Sequence, residues 1–245
     1  MSAPTRAERR PTPRLLAVFR YTIRSCIPPK RWGAVLLPCL GAVLFGLLSH
    51  AIDVERHEAF ANIAAEGIFS LVMPIAALVI GDAVLGAEVR SGTFHFTWLT
   101  PVPAWEVVLG RWAGGAAVAL ITIAPASALA AIVAGVPSHA GPAFVAAAIG
   151  SVAYVALFVA VGCLTRRTAV WSLAIVFLVE RLLGAALTGI AQISPTWEAR
   201  AIYVGLADEI PDRLHRSGIP EGTAAIVRLV IVIVVTLAIA RWRIT

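Results

Sequence analysis

His57 and Glu58 open the pattern His-Glu-x-x-His, which on a helix sets two imidazoles one turn apart around a zinc ion, with the glutamate as general base. Ala61 stands where the second imidazole must be, so the pair is a coincidental dipeptide. No Gly-x-Ser-x-Gly elbow offers a nucleophilic serine. The only lysine, Lys30, lies in Pro-Pro-Lys-Arg rather than in a glycine-rich phosphate loop, so the chain carries no P-loop ATPase of its own. His50, His57, His95, His139 and His215 are scattered without metal-ligand spacing and read as surface or interface residues. Two groups of charge remain inside otherwise apolar sequence: the stretch 81–112, GDAVLGAEVRSGTFHFTWLTPVPAWEVVLGRW, and the adjacent pair Glu180 and Arg181.

The elements that must hold these residues are membrane helices. Hydrophobic residues make up 59% of the 245 and charged residues only 14%, with a mean hydropathy of +0.86. A soluble domain of that size could not hide so much apolar surface. A hydrocarbon layer of about 30 Å takes about 20 apolar residues per helical crossing. Six runs meet this length, at 33–52, 63–85, 113–136, 143–164, 169–193 and 223–240. The expectation is an all-helical, six-span, single membrane domain over 1–245, with 1–32 as a tail and 33–245 as the transmembrane region.

The net charge of +6 could suggest nucleic acid, but its distribution excludes that partner. Arg6, Arg9, Arg10, Arg14, Arg20, Arg24, Lys30 and Arg31 precede the first run, Arg90 and Arg111 flank the second connection, Arg166 and Arg167 the fourth, and Arg241 and Arg243 follow the last. With six spans all of these share one side, which the positive-inside rule makes cytoplasmic, together with both termini. Acids dominate the other side: Asp53, Glu55 and Glu58 in one loop, Glu198, Asp208, Glu209, Asp212 and Glu221 in another. The first apolar run follows about thirty polar or basic residues and is too long for a cleavable signal core. Cys26, Cys39 and Cys163 map to the inner side and form no C-x-x-C, so neither a disulfide framework nor redox chemistry is expected. One lysine against nineteen arginines, in an Ala- and Gly-rich chain, fits a GC-rich bacterial genome and hence a bacterial inner membrane.

Before the first span, Leu15, Leu16, Phe19, Ile23, Cys26 and Ile27 share one helical face and Arg10, Arg14, Arg20 and Arg24 the other, which predicts an interfacial helix ended by Pro28 and Pro29. Pro38, Pro74 and Pro125 predict local kinks inside spans. The connection 194–222, mixing Trp197, Tyr203 and Leu206 with charges, is expected to fold against the membrane surface. In the stretch 81–112, Asp82 and Glu88 end the second span, Arg90 and Gly92 break the apolar pattern, and Pro101 and Pro103 turn into a short helix with Glu106 in its first turn. That short amphipathic helix would present Trp98, Leu99, Trp105 and Val108 at the cytoplasmic surface, either to a partner or to lipid headgroups.

Here the chain resembles the ABC-2 type transporter permeases, the membrane subunits of ATP-binding-cassette exporters. The resemblance rests on Glu88-x-x-x-Gly92-Thr93, Thr100-Pro101-Val102-Pro103 and Trp105-Glu106-Val107-Val108-Leu109-Gly110-Arg111, with Arg111 where members typically carry lysine. It implies a coupling helix between spans two and three that sits in a groove of a cytoplasmic ATPase subunit, and a second permease copy or homologue completing the pathway. By the same implication Glu88, Arg90, Gly92, Thr93, Trp98, Pro101, Pro103, Trp105 and Glu106 transmit ATP-driven closure. ATP and magnesium would bind the partner ATPase, and this chain would hold no cofactor and catalyse nothing itself.

Glu180 and Arg181 lie near the middle of the fifth run, where an ionised side chain is costly and marks a functional candidate. Neighbours on a helix point about 100° apart, so each needs a partner elsewhere. Glu180 reads either as a substrate-handling group or as part of a dimer-interface ion pair. The rival classes are an intramembrane enzyme, which would need facing catalytic residues, and a non-transporting anchor or sensor, which would need no ATPase.

Overall fold

The computed structural model describes residues 14–27, 32–52, 55–92 and 102–244, and every regular element among them is a helix. They are α1 (Arg14–Cys26), α2 (Trp32–Ala51), α3 (Arg56–Gly86, extended by a last turn at Ala87–Ser91), α4 (Ala104–Val133), α5 (Ala140–Leu164), α6 (Thr168–Ala186), α7 (Thr188–Ala191), α8 (Pro195–Leu206) and α9 (Thr223–Ile244). Five helices are long and apolar enough to cross a membrane: α3, α4, α5 with the turn Pro137–His139 before it, α6 and α9. In α2 the apolar stretch Leu36–Ala51 is shorter.

Contacts along residues 41–50 fix the direction of α2 in the bundle. A Cβ on its Gly46 would come within 2.3 Å of the Ala130 carbonyl oxygen, and His50 Nδ1 lies 3.3 Å from the Ala134 carbonyl, so α2 and α4 run side by side in the same direction. Phe45 meets Gly67 and Gly41 meets Val72, so α3 runs the opposite way. Small residues permit these approaches, since in lipid helices associate through close packing rather than hydrophobic exclusion. The interior is filled by Phe60, Phe69, Tyr154, Phe158 and Tyr203, all fully buried. The outer faces of α6 and α9 carry exposed Leu178, Leu182, Val234 and Trp242, an apolar coat suited to acyl chains rather than water.

Three local features depart from the sequence reading. First, α4 starts at Ala104 and continues unbroken to Val133, with Pro103 as its N-cap. The short helix expected from Pro103 is therefore the first turn of α4 among the described residues, because nothing between Ala104 and the third span breaks the helical backbone. Second, the fifth run ends early, at Ala186, where Leu187 turns extended (φ −118°, ψ 110°). Third, the chain then dips back: α8 is not a surface helix but fills the bundle, with Ala199, Ile202 and Tyr203 completely buried.

α1 also sits differently. Of the expected apolar face, Cys26 and Ile23 pack inward together with Thr22, while Leu15 and Ile27 are exposed. The seat is Gly110 and Gly114, where an added Cβ would come within 2.8 Å of Val18 Cγ1 and 2.6 Å of Thr22 Cβ. This spacing of small residues, common in any glycine-rich chain, is here the groove that receives α1.

Candidate functional site

The residues around the connection 93–101 converge on one clamp. Arg111, one turn inside the second turn of α4, is 5% exposed and donates through Nη1 to Glu88 Oε1 at 2.9 Å and through Nη2 to Glu88 Oε2 at 2.7 Å. Nη1 also reaches the Val84 carbonyl at 3.0 Å. Such a two-pronged pair fixes geometry as well as charge, and lysine could not reproduce it. From α1, Tyr21 donates its hydroxyl to Glu88 Oε1 at 2.9 Å, and the Arg111 guanidinium lies over the Tyr21 ring at 4.9 Å. The hydrogen bond to the Glu88 carboxylate raises the Tyr21 pKa, with burial adding to it. Three elements, α1, the end of α3 and the start of α4, thus share one set of charges.

α3 ends at Gly92 in the left-handed region (φ 73°), a conformation that glycine adopts without a Cβ penalty. Pro103 is exposed, Trp105 is exposed on the first turn of α4, and Glu106 Oε2 is buried without a hydrogen-bond partner among the described residues. The side chain of Arg90, and Thr93, Trp98 and Pro101 altogether, lie outside the described residues. Tyr21 gave no signal in the sequence, because its partners are 67 residues away or more.

A second polar centre lies midway along the bundle. Glu180 and Arg181 stand on a stretch of α6 wound as π-helix, Ile175–Leu183. As expected for adjacent helical positions, they do not pair with each other. Glu180, 3% exposed, accepts a short hydrogen bond from the Tyr154 hydroxyl of α5, and that hydroxyl also lies 2.5 Å from Thr196 Oγ1 at the start of α8. Trp197 Nε1 donates to the Glu180 carbonyl at 3.1 Å. A carboxylate at a helix N-terminus meets the positive end of the dipole, so Glu180 anchors α8 where it enters the bundle. Its side chain is hydrogen-bonded within the chain.

Arg181 faces the other way. Its Nη2 is 3.5 Å from Glu66 Oε2 and its Nη1 donates to the Ser70 carbonyl at 3.3 Å. Pro74 has no N–H to offer that carbonyl from the next turn, and the arginine of a neighbouring helix supplies a donor there. Glu66 and Ser70 also lie on π-wound backbone, Ala64–Val72, a geometry that recurs at functional sites. Arg200 of α8 completes the group at 2.9 Å from Glu66 Oε1, its guanidinium over Trp197 at 4.6 Å. Between Glu66, Arg181, Thr196 and Arg200 opens a cavity of about 160 Å³. The rule that singles out Glu180 applies equally to Glu66, a carboxylate inside the 63–85 run.

The histidines are less scattered than their sequence positions suggest. At the end of the bundle far from α1, His139 is fully buried, 2.6 Å from the Tyr203 hydroxyl and 3.3 Å from His57 Nδ1. Glu209, at a positive φ of 56°, places its carboxylate 3.2 Å from His57. Among the described residues no group of three His, Cys, Asp or Glu could hold a metal ion. Glu198 is completely buried on α8, 3.8 Å from Arg228 of α9, an ion-pair distance but not a hydrogen bond. No protein-family model matches the chain, and no curated protein matches it.

Proposed function

We propose that this chain is the six-span permease subunit of an ATP-driven exporter in a bacterial inner membrane, similar to the ABC-2 type permeases, with both termini cytoplasmic. It works with a second permease copy or homologue and with separate cytoplasmic ATPase subunits that bind ATP and magnesium. The observation that carries this reading is the Glu88–Arg111–Tyr21 clamp. Two of the residues that bear the resemblance, Glu88 and Arg111, meet Tyr21 where α1, α3 and α4 come together. A push on the connection between Gly92 and Pro103 therefore reaches three helices at once, which is what a chain without its own motor needs at the place where a motor grips. Fold-level analogy supports the family assignment without replacing a test at the site.

Cysteines placed at Trp98 and Trp105 should crosslink to a P-loop ATPase encoded beside this gene, and nucleotide should change the yield. Reactivity toward lipid reagents alone at both positions would refute the docking role. Replacing Arg111 by alanine should uncouple the pair: the ATPase would still bind and hydrolyse, while export falls.

A further inference from the structure

Charged side chains do not rest against acyl chains, because a charge at the centre of a bilayer costs about 3 kcal/mol or more. Yet the Glu66 and Arg181 side chains are 58% and 40% exposed, both on helices apolar enough to cross a membrane. Arg181 is thirteen residues from Thr168. α6 ends five residues further on, at Ala186, so Arg181 lies in its second half. Something polar must meet this wall.

The charges say what. Glu66 serves two guanidiniums, close to Arg200 at 2.9 Å and looser to Arg181 at 3.5 Å. Glu180 also lines the cavity, its carboxyl hydrogen-bonded by Tyr154. A third guanidinium, Arg216, lies over the Trp197 ring at 4.3 Å, so Arg181, Arg200 and Arg216 outnumber Glu66 and Glu180 by one, and arginine cannot lose its proton to escape that cost. Arg181 gives one N–H to the Ser70 carbonyl and keeps further donors of its five for the cavity. Trp197 braces Arg200 from behind. Beside the opening, Leu178 and Leu182 of the same helix are exposed and apolar.

We propose that this cavity binds the anionic headgroup, phosphate or carboxylate, of a membrane amphiphile. The headgroup enters sideways and takes Arg181 and Arg200 in place of Glu66, while the acyl chains stay against Leu178 and Leu182. A volume of about 160 Å³ admits a small headgroup and no chain. That such an amphiphile is cargo rests on the exporter reading. The binding does not.

The test uses the purified full chain in neutral detergent, without any ATPase, and counts bound lipid by native mass spectrometry after exposure to equal phosphatidylglycerol and phosphatidylcholine. The wild type should retain the anionic lipid preferentially. Arg181→Gln should lower that preference about tenfold, the loss of one charge-assisted contact. Glu66→Gln, which removes the internal competitor, should raise it, and a misfolded protein cannot do so. Equal retention of both lipids, or a fall in both variants, would overturn the proposal. So would displacement of the lipid by millimolar inorganic phosphate, which would assign the cavity to a soluble anion. No change in either variant would mean that another copy of the chain covers the wall, and would overturn it equally. Failure of the crosslinks to an ATPase would sink the exporter reading and leave this result standing.

Discussion

Glu88 and Arg111 are a buried pair whose worth lies in what its loss leaves behind. Removing one partner strands a charge among apolar side chains, at a cost of about 3 kcal/mol. Glu88→Gln should therefore lower the thermal midpoint of the detergent-solubilised chain more than Tyr21→Phe, which removes only the third contact. Equal effects would show that the hydroxyl, and not the charge pair, holds the clamp. Glu198 makes a different demand. Burial pushes its carboxyl up to about 7, with Arg228 pulling in the opposite direction. A carboxyl raised in the folded state binds more protons there than in the unfolded chain, so its contribution is complete below the ordinary carboxylate range and is lost as pH rises through about 7. The seat of α8 on α9 should loosen from mildly acidic to alkaline conditions, read as faster amide exchange in α8 after correction for intrinsic rates. Glu198→Gln should flatten that dependence.

At the scale of elements, the seat of α1 gives the sharpest test. A leucine at Gly114 has no room, since even its Cβ would stand 2.6 Å from Thr22, so Gly114→Leu must lift α1 from α4. Cys26 reports the event. Burial pushes its thiol up to about 12 and leaves it unreactive, whereas a released α1 exposes it. With Cys39 and Cys163 replaced by alanine, alkylation of Cys26 should speed up about tenfold or more in the Gly114→Leu chain. An unchanged rate would mean that α1 does not rest on that groove. The same element shows what was legible in the sequence. The periodicity of Leu15, Phe19 and Cys26 announced a helix with one apolar side, because period is a local property. Which residues faced inward was decided by Gly110 and Gly114, some ninety positions away, and no local pattern encodes that. Likewise α3, α4, α5 and α9 follow directly from apolar length. The ending of α6 at Leu187 and the inward dip of α8 do not, because they depend on Glu180 meeting the start of α8. Of the candidate residues, the insert and the intramembrane pair were visible as charge in apolar surroundings. Their partners Tyr21, Tyr154 and Arg200 were not, since each comes from another helix.

For the whole molecule, the count of crossings turns on α2. Over residues 41–50 it lies parallel to α4 and antiparallel to α3, the alternation a crossing helix would show. Charge supports the same count. If α2 crosses, the fourteen basic residues from Arg6 to Arg243 named above share one side, against Arg56, Arg200, Arg213 and Arg216 in the opposite connections. If α2 turns back, the eight before it join those four, and only Arg90, Arg111, Arg166, Arg167, Arg241 and Arg243 remain opposed. The first division segregates charge more cleanly, and topology follows the arginines and lysines of short connections. Five crossings put the two termini on opposite sides, and six put them on the same side. Reporters active only in the cytoplasm, fused before Met1 and after Thr245, should therefore both be active. Activity at one terminus alone would remove α2 from the membrane-crossing set. It would also put α1, which carries Arg14, Arg20 and Arg24 of the basic leader, on the side opposite the clamp that its own Tyr21 closes, and so contradict the seat of α1 on α4.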